Sequence, residues 1–154
     1  MYRAIALVAL AKAVVAQNIG TLTPETHPKM PYQICDESGC TTEQGEIVLD
    51  SNWRWLHTTE GSDNCYDGNK WVEDVCPDGA TCAKSCALEG AEYEKTYGIS
   101  TPEDGALKLQ FVTKHEYGTN VGSRVYLMES EDKYKVFNML NKEITFDVDV
   151  SKLP

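Results

Sequence analysis

The sequence predicts an all-β protein organised around an antiparallel sheet with one buried face. Apolar residues alternate with polar or charged ones in three runs, at residues 107–111, 124–128 and 144–150. A further apolar segment, residues 134–140, is joined to the last run through a two-residue turn, as in a hairpin. A period of two puts every second side chain on the same face of a strand, so each run has one face for a core and one for solvent.

The start of the chain has the pattern of a secretory leader. Arg3 supplies a positive charge, an apolar stretch follows at residues 4–11, and Ala16 ends a small-residue cleavage site. The stretch is too short to span a bilayer, so a membrane anchor is not expected. We therefore divide the chain into a signal peptide, residues 1–16, and one domain, residues 17–154, that is secreted to the extracellular space.

The charge of the chain excludes two classes of partner. The formal net charge is −10 at pH 7, and removal of Arg3 and Lys12 with the leader makes it more negative. Nucleic acids and anionic membranes attract basic proteins, so neither is an expected partner. The composition fits a secreted protein that acts on a neutral molecule.

The cysteines predict a disulfide framework. Their number is even, and all of them lie in one part of the chain: Cys35, Cys40, Cys65, Cys76, Cys82 and Cys86. In a secreted protein this indicates disulfides, with fifteen possible connectivities for six cysteines. A zinc site is the competing interpretation, but no Cys-x-x-Cys occurs and the histidines are scattered. Residues 36–39 have turn composition, so a Cys35–Cys40 bridge would clamp a hairpin there.

Two short helices are expected among the turn-rich loops that follow. Residues 80–87 have helical composition, and Asp78 is placed to cap their N-terminus. A second helical turn is expected at residues 92–97. It would end at Gly98, because glycine adopts the left-handed conformation that closes many helices.

The most informative stretch is residues 47–55, which begin as an apolar strand and end in two tryptophans. If the strand continues to its end, Trp53 and Trp55 share one face about 6.8 Å apart, while Asn52 and Arg54 point the other way. A sugar stacks its C–H face on an aromatic ring and bonds its hydroxyls to polar neighbours. The competing interpretation is that both indoles are ordinary sheet core.

Six stretches carry a resemblance to a known family. They are residues 20–28, 50–55 with His57, 64–69, 76–84, 121–124 with 126–128, and 146–150. In this order they resemble the N-terminal part of the fungal family-seven glycoside hydrolases, which are reducing-end cellobiohydrolases and related endoglucanases. The likeness extends over nearly all of the chain after the leader but only over the first part of the family's catalytic domain.

The resemblance implies a concanavalin-like jelly-roll β-sandwich, of which this chain holds the N-terminal part. It implies a groove or tunnel for a β-1,4-glucan chain across the concave face, and a monomeric protein without cofactor or metal. It also implies three bridges: Cys35–Cys40, Cys65–Cys86 and Cys76–Cys82.

The resemblance further assigns substrate-binding residues. Trp53 and Trp55 match tryptophans that stack glucosyl units, and Asn52 lies beside them. Asn120 and Arg124 match polar residues that hydrogen-bond the glucan. From strand alternation alone, Arg124 and Tyr126 share the face opposite Val125 and Leu127, which suits sugar contacts. The competing interpretation of Arg124 is a solvated strand arginine.

No pair of catalytic acids is expected in these 154 residues. Retaining glycosidases need two carboxyl groups about 5–5.5 Å apart, and the family supplies them from a Glu-x-Asp-x-x-Glu stretch that does not occur here. Asp147 and Asp149 would share a strand face but fit an ordinary polar face. The acidic run at residues 129–132 has the composition of a solvated hairpin turn.

Two functions remain open from the sequence. The favoured one is a fragment of a secreted cellulase, preferably a cellobiohydrolase, that carries part of the glucan groove and is itself inactive. The alternative is a non-catalytic, lectin-like carbohydrate-binding module, because sandwich folds serve both classes.

Overall fold

The structure, a computed structural model, describes residues 21–22, 24–102, 105–116 and 118–153. The expected leader, residues 1–16, lies outside these residues. Within them, no helix has the length and apolar character needed to cross a membrane.

Short strands in several small sheets make up most of the described regular structure. The strands are β1 (Thr21–Leu22), β2 (Tyr32–Asp36), β3 (Gly39–Glu43), β4 (Glu46–Leu49), β5 (Leu56–Thr58), β6 (Tyr66–Asp67), β7 (Lys70–Trp71), β8 (Cys86–Leu88), β9 (Ile99–Ser100), β10 (Lys108–Leu109), β11 (Val112–His115), β12 (Gly118–Val121), β13 (Val125–Ser130) and β14 (Lys133–Tyr134). The helices are a 3-10 turn (Ser51–Trp53), α1 (Gly79–Ser85) and α2 (Tyr93–Tyr97).

The main apolar core lies where β4 and β13 pair. These strands are antiparallel, with Val125 opposite Leu49, and β14 extends the sheet on the far side of β13. The alternation expected for β4 is present, because Ile47 and Leu49 are both 2% exposed. Helix α2 closes this core: its Tyr93 side chain is buried, and the Tyr93 hydroxyl oxygen accepts a bond from the Leu49 amide at 3.3 Å.

A second buried core consists mainly of cysteine side chains. Strand β8 pairs with β5 antiparallel and with β1 parallel, and beside it four buried cysteines pack with Leu56 and Val75. The three bridges implied by the resemblance are all present: Cys35–Cys40, Cys65–Cys86 and Cys76–Cys82. Turn-rich loops gain most from such cross-links because they bury little apolar surface of their own.

Both predicted helices are present, but α1 ends at Ser85, and Cys86 and Ala87 belong to β8 rather than to the helix. The Asp78 carboxylate accepts bonds from the Ala80 and Thr81 amides, each at 2.9 Å, and so caps α1. Helix α2 ends at Gly98, whose φ of 64° is left-handed. The hairpin between β2 and β3 has the expected Cys35–Cys40 pair in register.

The prediction of one strand across residues 47–55 is wrong. Strand β4 ends at Leu49, the chain makes a 3-10 turn at Ser51–Trp53, and β5 begins only at Leu56. The cause is Asp50, whose side chain accepts a bond from the Asn52 amide and so caps the turn. Consequently the two tryptophans do not share a strand face.

Two further strand predictions are wrong in part. Only Lys108–Leu109 is a strand in the first alternating run, and Leu109 and Phe111 are exposed. Strand β14 stops at Tyr134, and residues 135–153 form no strand with any described residue. Phe146 and Val148 are 73% and 66% exposed. Alternation favours an extended chain, but a strand also needs a hydrogen-bonding partner, which the described residues do not supply there.

Gly98 gives a test of this packing. A Cβ at this position would meet Gln110 Cβ at 2.7 Å and would also overlap Thr113 Oγ1. We expect Gly98→Ala to lower the free energy of unfolding by about 2–4 kcal/mol, because backbone strain adds to overlap. Chemical denaturation followed by circular dichroism measures this.

Gly68→Ala is the matched control. Gly68 is also left-handed, with φ 51°, but nothing lies within 4 Å of its added Cβ. Only the backbone cost of about 1 kcal/mol remains. Equal destabilisation by the two substitutions would contradict the packing described around Gly98.

Candidate functional site

Asp50 joins the 3-10 turn to strand β13. Its Oδ1 accepts a bond from the Asn52 amide at 2.8 Å. Its Oδ2 accepts bonds from the Tyr126 hydroxyl at 2.8 Å and from Arg124 Nε at 2.9 Å. The Asp50 amide in turn donates to the Arg124 carbonyl oxygen at 2.9 Å. One carboxylate therefore fixes the turn and two side chains of the facing strand.

These contacts set the charge states of the group. The Asn52 amide, followed by the Tyr126 hydroxyl and Arg124, lowers the pKa of Asp50 against the opposing effect of burial. The Asp50 carboxylate raises the pKa of Arg124 and that of Tyr126. The acid thus stays ionised and the guanidinium stays charged, so their hydrogen bonds are of the stronger, charge-assisted kind.

Trp53 lies against this charged pair. The Arg124 guanidinium carbon is 5.6 Å from the centre of the Trp53 ring, within cation–π range. The indole N–H donates to the Val121 carbonyl oxygen at 3.4 Å, and the Tyr97 hydroxyl donates to the Trp53 carbonyl oxygen at 3.0 Å. We call Asp50, Trp53, Arg124 and Tyr126 the Trp53 surface.

Trp55 belongs to a different group of side chains. Its indole N–H donates to Asn64 Oδ1 at 2.7 Å, and its ring centre is 4.3 Å from that of His57. His57 Nε2 is 2.9 Å from Glu89 Oε2. Trp55 remains 43% exposed. We call Trp55, His57, Asn64 and Glu89 the Trp55 surface.

Arg54, between the two tryptophans in sequence, is buried. Its NH1 group is 2.7 Å from Glu25 Oε2, and these side chains are only 2% and 4% exposed. Burial opposes the charge on Arg54, but the Glu25 carboxylate outweighs it and raises the pKa of the guanidinium. Arg54 also donates to the Leu49 carbonyl oxygen at 3.0 Å and to the Tyr93 hydroxyl oxygen at 3.2 Å. Arg54 therefore anchors the segment from beneath, while Trp53 is half-buried against the main core and Trp55 is exposed.

Comparison with known families identifies the fold. A family model described as Glycosyl hydrolase family 7 matches residues 19–154. The chain belongs to glycosyl hydrolase family 7.

Solved structures agree with this assignment. A cellobiohydrolase from Melanocarpus albomyces, complexed with cellotetraose, is 52% identical over 77% of this chain and 28% of its own, with a TM-score of 0.67. A family 7 cellobiohydrolase from Daphnia pulex is 43% identical over 71% and 25%, with a TM-score of 0.61. The native Humicola insolens endocellulase EGI is 36% identical over 70% and 28%, with a TM-score of 0.59.

These relatives show the fold class to which the small sheets belong. The fold class is the all-β jelly roll of family 7, as the resemblance implied. The chain spans about a quarter of the length of the family 7 structures that it matches, between 25% and 28% of each of the three.

The structure brings together only some of the expected family 7 site residues. Trp53 and Arg124 are in contact, and Asn52 is exposed beside them. Asn120 lies in β12, next to the residue that Trp53 contacts, and its amide donates to the Gly122 carbonyl oxygen at 2.9 Å. Trp55 has its own set of partners. The expected alternation of Asn52 and Arg54 on one face is wrong, because Asn52 is exposed and Arg54 is buried.

Sequence reasoning missed several residues that hold these surfaces. Asp50, directly before Ser51 and Asn52, has the sequence signal of a helix cap, and that signal could have revealed the turn. His57 was noted only as part of the resemblance. Asn64 likewise belongs to a stretch of the resemblance, but neither it nor Glu89 is predicted to lie near Trp55, because these contacts depend on the path of the folded chain.

The acidic residues considered from the sequence lie elsewhere. Asp147 and Asp149 are on an extended segment rather than a strand, and the Ser151 hydroxyl and amide lower the pKa of Asp149. Glu129 lies in β13 near the hairpin turn to β14, and Lys133 lowers its pKa. A general acid in a glycosidase needs a raised pKa instead.

Asp50 gives a pH-dependent test. Because its native pKa is lowered, its contribution to stability is complete above the unfolded carboxyl pKa and disappears as pH falls through the lower native value. We expect Asp50→Asn to be less stable than wild type at pH 7, with the difference shrinking in acid. Urea unfolding at a series of pH values measures both.

Asp36→Asn is a suitable control. The Asp36 carboxyl also has a lowered pKa, through Ser38 in the same turn, but it does not contact the Trp53 surface. We expect the stability of Asp36→Asn to follow the same pH trend as that of Asp50→Asn. We also expect this variant to leave the contacts of Trp53 unchanged. A constant difference between Asp50→Asn and wild type at all pH values would contradict the ionised Asp50 described above.

Proposed function

We propose that this chain is the N-terminal, glucan-binding part of a secreted cellulase that hydrolyses β-1,4-glucosidic bonds with retention. The observation that carries the proposal is the Trp53 surface, in which an indole lies beside a fixed guanidinium. The substrate-binding residues are Asn52, Trp53, Trp55, Asn120 and Arg124. A family relative complexed with cellotetraose supports this ligand.

The chemistry of the Trp53 surface suits a neutral sugar. The indole offers a flat apolar ring to the C–H face of a glucosyl unit. Arg124 is 57% exposed at its side chain and is held by Asp50 through Nε and NH2, so its remaining N–H groups are free to meet sugar hydroxyls. Because Asp50 neutralises Arg124, the surface carries no net charge that would select an ionic ligand.

Among family activities we favour a cellobiohydrolase over an endoglucanase. The chain is 52% identical to the Melanocarpus cellobiohydrolase and 36% identical to the Humicola endocellulase over similar lengths. A chain-end enzyme needs a long row of stacking surfaces to hold its glucan substrate chain. Two separate indole surfaces on one short segment fit that need.

The catalytic carboxylates of this proposal belong to polypeptide other than these 154 residues. The chain spans about a quarter of the length of its solved relatives, and it does not contain the Glu-x-Asp-x-x-Glu stretch that supplies these acids in the family. The chain itself is therefore inactive. Its leader, residues 1–16, and its three disulfides fit a secreted monomer in an oxidising compartment.

The first test is glucan binding. We expect Trp53→Ala to weaken cellotetraose binding about tenfold, since a stacked ring contributes about 1.4 kcal/mol. Isothermal titration calorimetry on the full chain measures the dissociation constant. Trp71→Ala is the matched control, because Trp71 is 55% exposed on the β7 hairpin and packs on Tyr66 instead.

Two results would count against the binding surface. One is equal affinity of the Trp53→Ala variant and wild type, and the other is an equal loss in the Trp71→Ala control. Binding of a charged polysaccharide in preference to cellotetraose would overturn the choice of a neutral glucan.

The second test concerns catalysis. We expect the pure 154-residue protein to release no cellobiose from cellulose and no chromogenic group from an aryl cellobioside. Transcript sequence beyond the codon for Pro154 should continue in frame to a Glu-x-Asp-x-x-Glu stretch. Hydrolysis by the pure chain would disprove its inactivity. A stop codon with a folded glucan-binding product would favour the lectin-like module.

A further inference from the structure

His57 makes contacts in three directions within the Trp55 surface. Its ring packs on the Trp55 indole at 4.3 Å between centres, with the planes tilted by 34°. Its Nε2 is 2.9 Å from Glu89 Oε2, and its Nδ1 is 2.9 Å from the Thr58 carbonyl oxygen. The His57 side chain is only 15% exposed, whereas that of Glu89 is 42% exposed.

Both ring nitrogens of His57 therefore face acceptors. A carboxylate and a carbonyl oxygen accept hydrogen bonds and donate none, so each nitrogen must carry a proton for both bonds to form. The imidazolium meets this condition. The neutral ring has one N–H and leaves a lone pair facing an acceptor.

Few charged groups contact His57. On the neighbouring strand β8, its register partner is Ala87, and on the loop before Cys65 it forms an isolated bridge with Asn64. Among the described residues that bond to its ring or pack on it, Glu89 is the one with a charge. The pair with Glu89 is therefore the contact that a change in the charge of His57 would affect most.

The indole is held on two sides by this arrangement. Asn64 fixes its N–H edge at 2.7 Å, and His57 covers part of one ring face. The ring nevertheless stays 43% exposed. A ring with a fixed edge and one occupied face presents its opposite face to a ligand at little cost in side-chain freedom.

We propose that His57 is a positioning residue that holds the Trp55 indole with one face open for a glucosyl unit, and that the protonated ring does this better than the neutral ring. The identity of the ligand as a glucosyl unit rests on the proposed function, but the positioning of the indole does not. At an exposed site, a cation packed on an indole favours the packed conformation about two- to fivefold.

The first experiment observes the indole without any sugar. The three indole N–H signals of the full chain are recorded by nitrogen-15 NMR from about pH 5 to about pH 8, where histidine side chains change charge. Trp55→Phe assigns the Trp55 signal. We expect this signal to move with pH in wild type and to stay constant in His57→Phe, which keeps a ring but has no N–H groups.

Glu89→Gln is the matched variant. Replacing the carboxylate by a neutral amide keeps an acceptor for Nε2 but removes its charge, so the protonated ring should hold the indole less well and the pH response of the Trp55 signal should be smaller than in wild type. A Trp55 signal that is constant in wild type would overturn the proposal. So would a pH response that is the same in wild type and His57→Phe.

The second experiment adds cellotetraose. We expect wild type to bind it two- to fivefold more tightly at about pH 5 than at about pH 8, and His57→Phe to show no such difference. Equal wild-type affinity at both pH values would overturn the link from His57 to the ligand. No cellotetraose binding at either pH, with the NMR response intact, would contradict the proposed function and support the positioning role.

Discussion

The buried ion pair of Arg54 with Glu25 is the contact on which the site depends. Removing two charges from water costs free energy, and the pair is tolerable only because further hydrogen bonds satisfy both groups. Arg54 bonds to the carbonyl oxygens of Leu49 and Glu89, and Glu25 accepts from the Ala91 amide at 2.6 Å. These bonds hold the end of β4 and the loop after β8 against one side chain. They also hold Arg54 inward, so that Trp55 on one side of it is exposed and Trp53 on the other is half-buried against the main core.

The two tryptophans consequently serve separate surfaces with different chemistry. Trp53 is held by Arg124, the residue directly before β13, and Arg124 in turn is held by the carboxylate of Asp50. Trp55 is held by an amide and an imidazole from the disulfide-rich part of the chain. A single flat strand would have presented both rings side by side. The 3-10 turn instead gives each ring its own set of polar partners, so each surface can be altered without the other.

Local rules were enough to predict part of this structure from the sequence. The Asp78 cap, the Gly98 terminus and the hairpin at Cys35 and Cys40 depend on residues within a few positions of one another, and all three are present. The prediction of a strand at residues 47–55 was wrong because the capping side chain of Asp50 competes locally with strand pairing. The prediction of a strand at residues 144–150 was wrong because alternation does not indicate whether a partner strand lies alongside. The polar partners of the site were the least predictable, since Asp50 and Tyr126 are 76 positions apart and only the fold brings them together.

The Cys65–Cys86 bridge has a consequence for what happens when a protease cuts the chain. It encloses the exposed β6–β7 hairpin, whose turn at Gly68 and Asn69 is the kind of tip that proteases cut. A nick there would leave two polypeptides that are still covalently joined, with Asn64 on one and Glu89 on the other. Because Glu89 stays tethered to the piece that carries Trp55, His57 and Asn64, the Trp55 surface can persist after the backbone is cut.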